Sequence, residues 1–559
     1  NIFGDTILSM SDKWIEQYPN NLNSEIDSID DSTVTDLLES AVNKFSSNTA
    51  FYSLNTSIDY KMTSLLSKRI AAYLQYLGVT KDTKIAIMLP NLLTYPITLF
   101  GSYYCGATVI NINPMYKSRE INNILIDSEA EYIFVLDKFY QELQPCIPDS
   151  KLKKIIVCKI TDLLSPFMKV VIPMVMLYKK QSVSIKKQNN IVFFKDIVSN
   201  NFSFEDVLID ENDIALLQYN GGTTGKSKAA ILTHKNLLSN VQQVSNWIEP
   251  HIKQGQEIII TALPLFHIFS FTVNCLTFLK FGSENVLIAN PRDLDSFIKV
   301  LEKKKFTVIT AVNTLFNLLL TSTKFRDLDF SNFKFSVGGG MAVLKDTAQK
   351  WKDVTGTNIT QGYGLTETSP VVSINRINDP FNGYIGLPVQ STKIKIIDDN
   401  ENTLGCNQAG ELCVQGPQVM SGYWKILNEK NKYFTDDGFF KTGDIATMND
   451  EGYLKIVDRK KDMIIYSGYN VYPNEIEDYL ATHPDIIEAG VIGVDDKNRG
   501  EYIKAFVVTK NESLSSSDII AFCKNGLTEY KVPKRIVFIK ELPKTNVGKI
   551  LRRELRELN

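Results

Sequence analysis

Histidine is rare in this sequence, and its cysteines are not paired. The 559 residues contain four histidines and seven cysteines, and no two cysteines stand in a CxxC spacing. Zinc sites and disulfide frameworks are built from such residues in close pairs. We therefore expect neither a zinc site nor a disulfide framework, and the scattered cysteines fit the reduced thiols of the cytoplasm.

The chain also lacks a long hydrophobic run. A membrane span needs roughly 18 apolar residues, and the nearest run, residues 170–178, is far shorter and contains Pro173. The first residues show no basic segment followed by an apolar one, so we expect no signal peptide. No charge sign is in excess either, because 61 Lys and Arg face 63 Asp and Glu, which argues against nucleic acid as a partner. These absences predict a cytoplasmic protein.

What the chain does have is the composition of a large globular protein. Hydrophobic residues make up 44% and charged residues 22%, and the length exceeds that of a single domain. Short apolar runs such as residues 84–89 and 257–263 alternate with segments of helical period such as residues 91–104. This alternation predicts an α/β fold with largely parallel sheets.

The pattern changes late in the chain. Short alternating strands with Gly and Asp turns indicate a β-rich subdomain at about residues 387–457. Residues 458–462 are five consecutive charged residues, which are poorly suited to burial and predict an exposed segment, either a hinge or a static charged turn. We place the main boundary there, with an N-terminal domain at residues 1–457 and a small α+β domain at residues 463–559.

Residues 151–187 form a lysine-rich segment with nine lysines and one acidic residue, Asp162. It contains the short apolar run named above. A short apolar run with lysine flanks predicts contact with an anionic membrane surface, such as the inner face of the cell membrane. An exposed connector with a small buried plug is the equal alternative.

The strongest local signal is the Gly- and Thr-rich segment at residues 219–228. Adjacent glycines let backbone N–H groups close around phosphate oxygens, threonine hydroxyls add donors, and Lys228 adds positive charge. The segment therefore predicts an anion-binding loop, with a ligand-free surface turn as the structural alternative. A P-loop of the GxxxxGK[ST] type fails because Asn220 stands where its first glycine is needed.

From this loop onward the sequence resembles the acyl- and aryl-CoA synthetases of the adenylate-forming superfamily. Their motifs recur in the expected order at residues 361–367, 441–444, 458–462, 467–470, 473–477 and 543–549. With residues 88–91 and 113–116 the similarity covers nearly the whole chain, and it points to bacterial long-chain fatty acid–CoA ligases. Two departures stand in the phosphate loop, where Asn220 replaces a usual Ser or Thr and Ala229 a usual Gly.

The resemblance implies the adenylate-forming enzyme fold, with a large α/β domain, a β-rich subdomain and a small mobile C-terminal domain. It also implies an AMP-forming ligase that activates long-chain fatty acids. Carboxylate attack on the α-phosphate of ATP gives acyl-AMP and pyrophosphate, and the thiol of CoA then expels AMP. Because the first step brings an anion against a polyanion, the site should supply cations and Mg²⁺ rather than a strong base. Fatty acid, ATP and CoA are the expected partners, in fatty acid metabolism and β-oxidation, and a homodimer is left open.

The resemblance also assigns roles to individual residues. Expected to bind ATP or AMP are Tyr219, Gly221, Gly222, Thr223, Thr224, Gly225, Lys228, Gly339, Gly340, Tyr363, Gly364, Thr366, Asp444 and Arg459. The metal is assigned to Glu367 and Thr223, and catalysis to Lys549, Thr366 and His267. The hinge is assigned to Asp458 and Lys461, the CoA side to Gly468, and the acyl side to Val312 and Gly338.

The nucleotide-binding residues each have a structural alternative. Tyr363 offers a flat ring for adenine, but it could equally pack in the core. Asp444 can accept both ribose hydroxyls, or it could be a turn residue. Arg459 can add a donor to the same sugar, or it could pair locally with Asp458 or Asp462.

The catalytic and acyl-side residues have alternatives as well. The Lys549 ammonium could bridge carboxylate and α-phosphate, or belong to a solvated helical face with residues 552–553. His267 could gate the carboxylate and thiol, or be a hydrogen-bonded core histidine. The glycines at 338–340 could leave room for ligand, or form a tight turn.

Three other functions compete with the main interpretation. An acyl-AMP ligase would hand its acyl group to a carrier protein instead of CoA. A P-loop ATPase or kinase would release ADP rather than AMP. A non-catalytic acyl-binding protein would bind fatty acid without consuming ATP.

Overall fold

The structure is a computed structural model that describes residues 13–19, 22–178, 185–220, 227–426, 429–466, 469–496, 500–511, 513–545 and 550–558. The chain divides into two compact units. The larger unit comprises Tyr18–Thr392 and Gly416–Lys430. The smaller unit comprises Asn1–Gln17, Lys393–Gln415 and Asn431–Asn559. The predicted domain boundary at residue 458 stays a prediction.

Within the described part of the larger unit, nine strands form one sheet. In spatial order they are Leu387–Pro388, Val371–Ile374, Ile359–Gly364, Phe335–Gly338, Val308–Ala311, Ile258–Thr261, Glu284–Leu287, Thr49–Ser53 and Thr56–Asp59. The six strands from Ile359–Gly364 to Thr49–Ser53 run parallel, and the outer pairings are antiparallel. Strand Val308–Ala311 is buried at every position, as expected where both faces of a parallel sheet are covered.

A second sheet of the larger unit contains seven strands among the described residues. In spatial order they are Ile191–Phe193, Lys154–Cys158, Tyr132–Leu136, Lys84–Met88, Thr108–Asn111, Ile214–Asn220 and Lys228–Thr233. The first six run parallel and the last is antiparallel. The predicted α/β class with largely parallel sheets is therefore confirmed.

Helices connect these strands. The α-helices described in the larger unit are Val34–Phe45, Tyr60–Tyr76, Thr94–Tyr104, Ser118–Ser128, Tyr140–Leu143, Pro166–Tyr178, Phe194–Val198, His234–Ile248, Phe278–Lys280, Leu294–Lys303, Asn313–Thr321, Thr323–Arg326 and Lys345–Thr355. A π-helix spans Ser270–Thr277, and 3₁₀ turns span Asp137–Phe139, Gln144–Cys146, Glu249–His251 and Thr366–Thr368. None of the helices in the described ranges is long and apolar enough to cross a membrane.

Local chemistry sets where these helices begin. Thr33 caps the helix Val34–Phe45, because its hydroxyl accepts from the Asp36 N–H at 3.1 Å and the Asp36 carboxylate accepts from the Thr33 N–H. The helix expected at residues 91–104 starts at Thr94, and Asn91 lies in the loop before it.

The described part of the smaller unit forms two mainly antiparallel sheets. The strands Lys393–Ile397, Gly410–Gln415, Phe440–Met448 and Leu454–Arg459 form the first, which is the predicted β-rich region. Tyr469–Val471, Ile464–Tyr466, Gly500–Thr509, Ile486–Asp496 and Arg535–Phe538 form the second, in which the last strand pairs parallel with Gly500–Thr509. The helices are Pro473–Leu480, Ser516–Gly526 and Arg552–Glu557, with a 3₁₀ turn at Glu529–Lys531, and the short helix Lys430–Tyr433 lies where the chain passes between units.

Candidate active site

The carboxyl ends of the two parallel sheets of the larger unit meet at one place. Asn91 follows the strand Lys84–Met88 of the seven-stranded sheet. Its side-chain amide donates to the carbonyl oxygens of Thr261 and Leu263, at 3.0 and 2.9 Å, where the strand Ile258–Thr261 of the nine-stranded sheet ends. Ligand sites in α/β proteins form outside the carboxyl ends of parallel strands. A functional site is therefore expected beside this contact.

The predicted phosphate loop begins at this edge. The strand Ile214–Asn220 leads into it and the strand Lys228–Thr233 leads out, and the two strands pair antiparallel with Asn220 opposite Lys228. The two ends of the loop are thus held side by side. The loop residues Gly221, Gly222, Thr223, Thr224 and Gly225 lie outside the described residues, so their roles stay predictions.

Tyr219 anchors the first strand of this hairpin. Its ring is buried in the hydrophobic core of the seven-stranded sheet, and its hydroxyl donates to Asp127 Oδ2 at 2.5 Å. Burial and the neighbouring carboxylate raise the pKa of the Tyr219 phenol far above its ordinary value. The side chain therefore anchors the strand that leads into the loop, and its predicted part in binding ATP stays a prediction.

A hydrogen-bonded pair, Glu367 and Tyr423, lies beside Lys228. The buried Glu367 carboxylate accepts from the Tyr423 hydroxyl at 2.6 Å. The Lys228 ammonium lies 5.5 Å from the centroid of the Tyr423 ring, close enough for a cation–π contact. Tyr423 is itself positioned by a bridge to Ala230, in the strand that leaves the phosphate loop. The structure thus brings together a carboxylate and a cation that the sequence places 139 residues apart.

The segment that carries Glu367 is fixed by its backbone. A side chain at Gly364 would meet the carbonyl oxygen of Pro370 at 2.1 Å, so only glycine fits there. Tyr363, one residue earlier, is partly exposed rather than packed in the core, as a ring that stacks on adenine must be. Thr366 opens the 3₁₀ turn Thr366–Thr368 and is also partly exposed.

The glycines at 338–340 are explained by packing within the chain. A Cβ at Gly338 would lie 2.6 Å from Val343 and 2.9 Å from Ile359, so the space beside it is already filled. Gly340 has φ +76°, a turn conformation that favours glycine, and a Cβ there would lie 3.5 Å from Val312. The roles of these glycines and of Gly339 and Val312 toward nucleotide and acyl chain stay predictions.

His267 lies on the loop after the strand Ile258–Thr261. Its Nδ1 accepts a hydrogen bond from the Phe269 N–H at 3.3 Å, and burial lowers the pKa of His267 to about 4. The ring is therefore neutral near pH 7 with its proton on Nε2. A partly exposed neutral imidazole of this kind can donate a hydrogen bond, but it is not a cation at neutral pH.

In the smaller unit, Asp444 and Arg459 face each other across two paired strands. The Arg459 Nε lies 2.7 Å from Asp444 Oδ1, and the Asp444 side chain is almost fully buried. The Asp444 N–H donates to the Thr442 hydroxyl at 3.1 Å, which fixes the turn through Gly443. The Arg459 side chain thus pairs with the carboxylate assigned to the same ribose.

The exposed hinge expected at residues 458–462 is wrong in one respect, because its two aspartates are buried. Asp458 accepts from the Asn474 N–H at 2.8 Å, at the start of the helix Pro473–Leu480. Arg552 lies 3.5 Å from Asp462 and 3.9 Å from Asp458. A helix N-terminus and a guanidinium compensate the buried charges, and burial raises the pKa of Asp458. Whether the segment pivots at Lys461 stays a prediction.

Two further residues assigned by the resemblance, Lys549 and Gly468, also lie outside the described residues, so their roles stay predictions. The chain on either side of Lys549 is fixed, because Lys544 and Ile550 form an antiparallel bridge and the Leu551 N–H donates to Pro543 O at 2.8 Å. Sequence reasoning missed Tyr423 and the polar contacts of Asn91, since both depend on partners far along the chain.

Comparison with known proteins agrees with this arrangement. Residues 38–424 match the family model described as AMP-binding enzyme, and residues 475–549 match the AMP-binding enzyme C-terminal domain. The chain therefore belongs to the AMP-binding enzyme family, which confirms the resemblance to adenylate-forming enzymes.

Two relatives within this family carry the same description. The chain is 43% identical over 553 residues to a long-chain-fatty-acid--CoA ligase of Escherichia coli O6:H1, covering 98% of each chain. It is 36% identical over 554 residues to a protein of the same description from Bacillus subtilis, covering 97% of each.

Solved structures share the fold. ATP-bound MatB from Rhodopseudomonas palustris has a TM-score of 0.81 at 23% identity, covering 94% of this chain and 99% of that one. The anthranilate CoA ligase AuaEII, in complex with anthranoyl-AMP, has a TM-score of 0.83 at 24% identity, covering 94% and 97%.

Proposed function

We propose that this chain is an AMP-forming long-chain fatty acid–CoA ligase, which converts fatty acid, ATP and CoA to acyl-CoA, AMP and pyrophosphate. The observation that carries the proposal is the grouping of Glu367, Tyr423 and Lys228 at the two paired ends of the phosphate loop. A carboxylate and a cation grouped beside an anion-binding loop support the binding of a triphosphate with its metal ion. The descriptions of the 43% and 36% identical relatives support the same reaction.

The residues present fit a magnesium ion that would bind with ATP. Mg²⁺ is bound in enzymes of this kind by one or two carboxylates together with substrate phosphates. No group of three or more His, Cys, Asp or Glu side chains suited to a metal occurs in the described ranges, so an all-protein cage is not expected there. Glu367, with Thr223 of the loop, would hold the ion, which when bound neutralises phosphate charge.

We assign the remaining steps to the chain's own groups. Lys228 attracts the β- and γ-phosphates, Tyr363 stacks on adenine, and Thr366 donates to the α-phosphate. Asp444 accepts the ribose hydroxyls while Arg459 holds its carboxylate in place. These groups orient two anions for in-line attack, so most of the catalysis is positioning and charge neutralisation.

Two residues act on the acyl group. Lys549 bridges the fatty acid carboxylate and the α-phosphate during adenylation, where the two anions repel each other. His267 donates its Nε2 proton toward the carboxylate side, and rotation at Lys461 then presents the segment around Gly468 to the CoA thiol.

The reaction is tested by its products. The protein is incubated with ATP, Mg²⁺, CoA and a panel of carboxylic acids from short to long, and nucleotides and thioesters are separated by chromatography. We expect AMP, pyrophosphate and acyl-CoA in equal amounts, with long acids preferred. Release of ADP would contradict the proposal, and AMP-linked acyl product without acyl-CoA would favour transfer to a carrier protein.

A matched pair of variants ties the reaction to this site. Glu367→Gln keeps an oxygen that can accept from Tyr423 but removes the negative charge, and we expect pyrophosphate exchange to fall by about 100-fold. Glu302→Gln, at an exposed position of the helix Leu294–Lys303, should leave the rate unchanged.

We further propose that the enzyme acts in the cytoplasm, peripherally on the inner face of the cell membrane, and that its product feeds β-oxidation. The support is the helix Pro166–Tyr178, which we call the apolar helix. Its large apolar side chains are exposed to solvent: Phe167 73%, Val170 57%, Met174 67%, Val175 43% and Leu177 71%. At 100° per residue, the first three and Leu177 share one face.

Charge favours lipid as the partner of this helix. Its one charged residue is Lys169, and the surrounding segment 151–187 carries nine lysines against one acidic residue. Lys179 and Lys180 are part of that count but lie outside the described residues. An apolar face with a basic surround fits the boundary between anionic headgroups and acyl chains, with the helix lying in the plane of the interface.

Sedimentation with vesicles tests this contact. Val170→Glu combined with Met174→Glu should weaken binding to anionic phospholipid vesicles at least about 100-fold, because each apolar side chain contributes about 1.5 kcal/mol or more when buried. The control is Met62→Glu with Leu65→Glu, which are similarly exposed on the helix Tyr60–Tyr76 and should bind as wild type does.

Two results would contradict the membrane proposal. Equal binding by both pairs of variants would mean that the helix does not meet lipid. A change of oligomeric state in the helix variant would mean that the face meets a second copy. The homodimer itself stays a prediction, which light scattering of the wild type checks.

A further inference from the structure

The loop that carries His267 is held from the opposite sheet. Asn91 is buried and uses all of its polar groups on this loop. Its amide donates to the carbonyls of Thr261 and Leu263, and its oxygen accepts from the Leu265 N–H at 2.8 Å. One side chain that follows a strand of the seven-stranded sheet thus fixes three backbone groups at the end of a strand of the nine-stranded sheet and in the loop after it.

Two more side chains bind the same loop nearer to His267. The Tyr95 hydroxyl lies 2.9 Å from Leu265 O and 2.8 Å from Asn111 Oδ1, so its one proton serves both. The Gln218 Nε2 donates to Phe266 O at 3.1 Å, and the Gln218 oxygen accepts from Asn111 Nδ2 at 3.1 Å. These buried groups form one connected network.

We call Asn91, Tyr95, Asn111 and Gln218, with the loop they bind, the inter-sheet junction. Leu265 and Phe266, the residues it holds, are the two immediately before His267. The junction therefore fixes the backbone from which the imidazole projects.

The junction also reaches the phosphate loop. Gln218 stands in the strand Ile214–Asn220, three residues before the loop's first glycine. Two residues of one strand therefore have different tasks: Gln218 holds the His267 loop, and Tyr219 anchors the phosphate hairpin through Asp127. A shift of this strand would move both loops together.

We propose that Asn91, Tyr95 and Gln218 are positioning residues that set the spacing between His267 and the phosphate loop, and so between the fatty acid carboxylate and ATP. The inference rests on the proposed function. A network that served packing alone could be loosened without changing how one substrate meets the other. Loosening a positioning network does change it, because small displacements of the reacting groups lower the reaction rate strongly.

The test is a matched pair of tyrosine variants. Tyr95→Phe removes the hydroxyl bonded to Leu265 O and leaves the ring in place. Tyr60→Phe removes an equally buried hydroxyl that donates to Ser283 O at 2.8 Å, in another part of the larger unit. Both variants lose one buried hydroxyl that lies near two acceptors, so their melting temperatures should fall by similar amounts.

Their kinetics should differ. For Tyr95→Phe we expect kcat/KM for the fatty acid to fall about 10-fold with the KM for ATP unchanged, because the phosphate hairpin keeps its own strand pairing. Tyr60→Phe should keep wild-type constants per folded molecule. Equal kinetics in the two variants would overturn the proposal.

A pH profile of Gln218→Glu provides a second readout. The protonated carboxyl can still donate to Phe266 O, whereas the carboxylate cannot. Activity relative to wild type should therefore recover as the pH is lowered, and a constant ratio across pH would count against the proposal. If the wild type makes no acyl-CoA, the proposed function is wrong. If the wild type is active and the variants have the same kinetics as wild type, only the positioning proposal is wrong.

Discussion

The inter-sheet junction and the apolar helix are two kinds of exception to the rule that apolar side chains are buried and polar side chains are exposed. In the junction, amides and a phenol are buried away from water, whereas on the apolar helix five large apolar side chains face solvent. Burying polar groups is costly unless every one is bonded, and exposing an apolar face is costly unless something covers it.

The two regions differ in what offsets the free-energy cost of burying polar groups or of exposing an apolar face. The junction is compensated within the chain, because each amide of Asn91 and Gln218 finds a partner. No described residue covers the exposed apolar face of the helix, and the cover that we propose is the anionic membrane surface. We propose that the junction positions the substrates and that the apolar helix, through its proposed membrane contact, serves delivery of the fatty acid.

Neither region supplies the positive charge that adenylation needs. Removal of the lysine that we propose for this role should therefore have the largest effect on the reaction rate. Lys549→Ala should lower the adenylation rate by about 10²- to 10³-fold, or ~3–4 kcal/mol, because the carboxylate and α-phosphate then repel unopposed. Fatty-acid-dependent pyrophosphate exchange measures this step. Thioester formation from synthetic acyl-AMP should be largely spared, and equal loss in both half-reactions would contradict the role.

A change of side-chain polarity should lower the free energy of unfolding much more in the junction than on the apolar helix. Asn91→Leu leaves the buried Leu265 N–H without its acceptor and removes two further hydrogen bonds, so the free energy of unfolding should fall by about 3 kcal/mol. Met174→Gln makes an exposed apolar position polar and should change it by less than about 0.5 kcal/mol. Urea unfolding checks both, and a large loss in Met174→Gln would mean that the helix is covered within the chain.

The lysines around the apolar helix should contribute less than its apolar face. Lys169→Gln should weaken binding to anionic vesicles about 5-fold, or ~1 kcal/mol, and high salt should reduce the difference from wild type. Lys299→Gln, on an exposed surface of another helix, is the matched control and should bind as wild type does. Equal weakening by both variants would indicate an attraction of the whole surface.

The smallest effect concerns two histidines, His234 and His267, whose pKa values are lowered. Burial lowers the pKa values of His234 and His267 to about 4, and His234 Nδ1 accepts from the Val34 N–H at 3.2 Å. Unfolded histidine titrates at about 6.5, so between about 6.5 and 4 the unfolded state binds more protons and stability falls as pH falls. His234→Gln should reduce this slope in urea unfolding. An unchanged slope would mean that His234 is not held neutral, and catalysis should show no step near pH 6.5 from His267.

Periodicity and motif order predicted much of this molecule. Alternating apolar runs and helical segments indicated the parallel sheets, and the motif at residues 361–367 located the segment with Tyr363 and Glu367. Both signals are local, since each depends on residues that are neighbours in the chain.

Contacts between residues that are far apart in the sequence could not be predicted in the same way. Five charged residues in a row indicated exposure, but Asp462 is buried by Arg552, 90 residues later. Asn91 gains its role from partners about 170 residues away, and Tyr423 meets Glu367 across 56 residues. A single sequence gives no local sign of such pairs.

The most direct test combines both regions in one assay. Acyl-CoA synthesis is measured for wild type, Val170→Glu/Met174→Glu and Tyr95→Phe, with a long-chain acid held in anionic vesicles and with the longest acid that stays dissolved. We predict that the helix variant loses about 10-fold or more with the vesicle-held acid alone, while Tyr95→Phe loses about 10-fold with both acids. Equal losses by the helix variant with both acids, or no loss by Tyr95→Phe with either, would contradict the division into delivery and positioning.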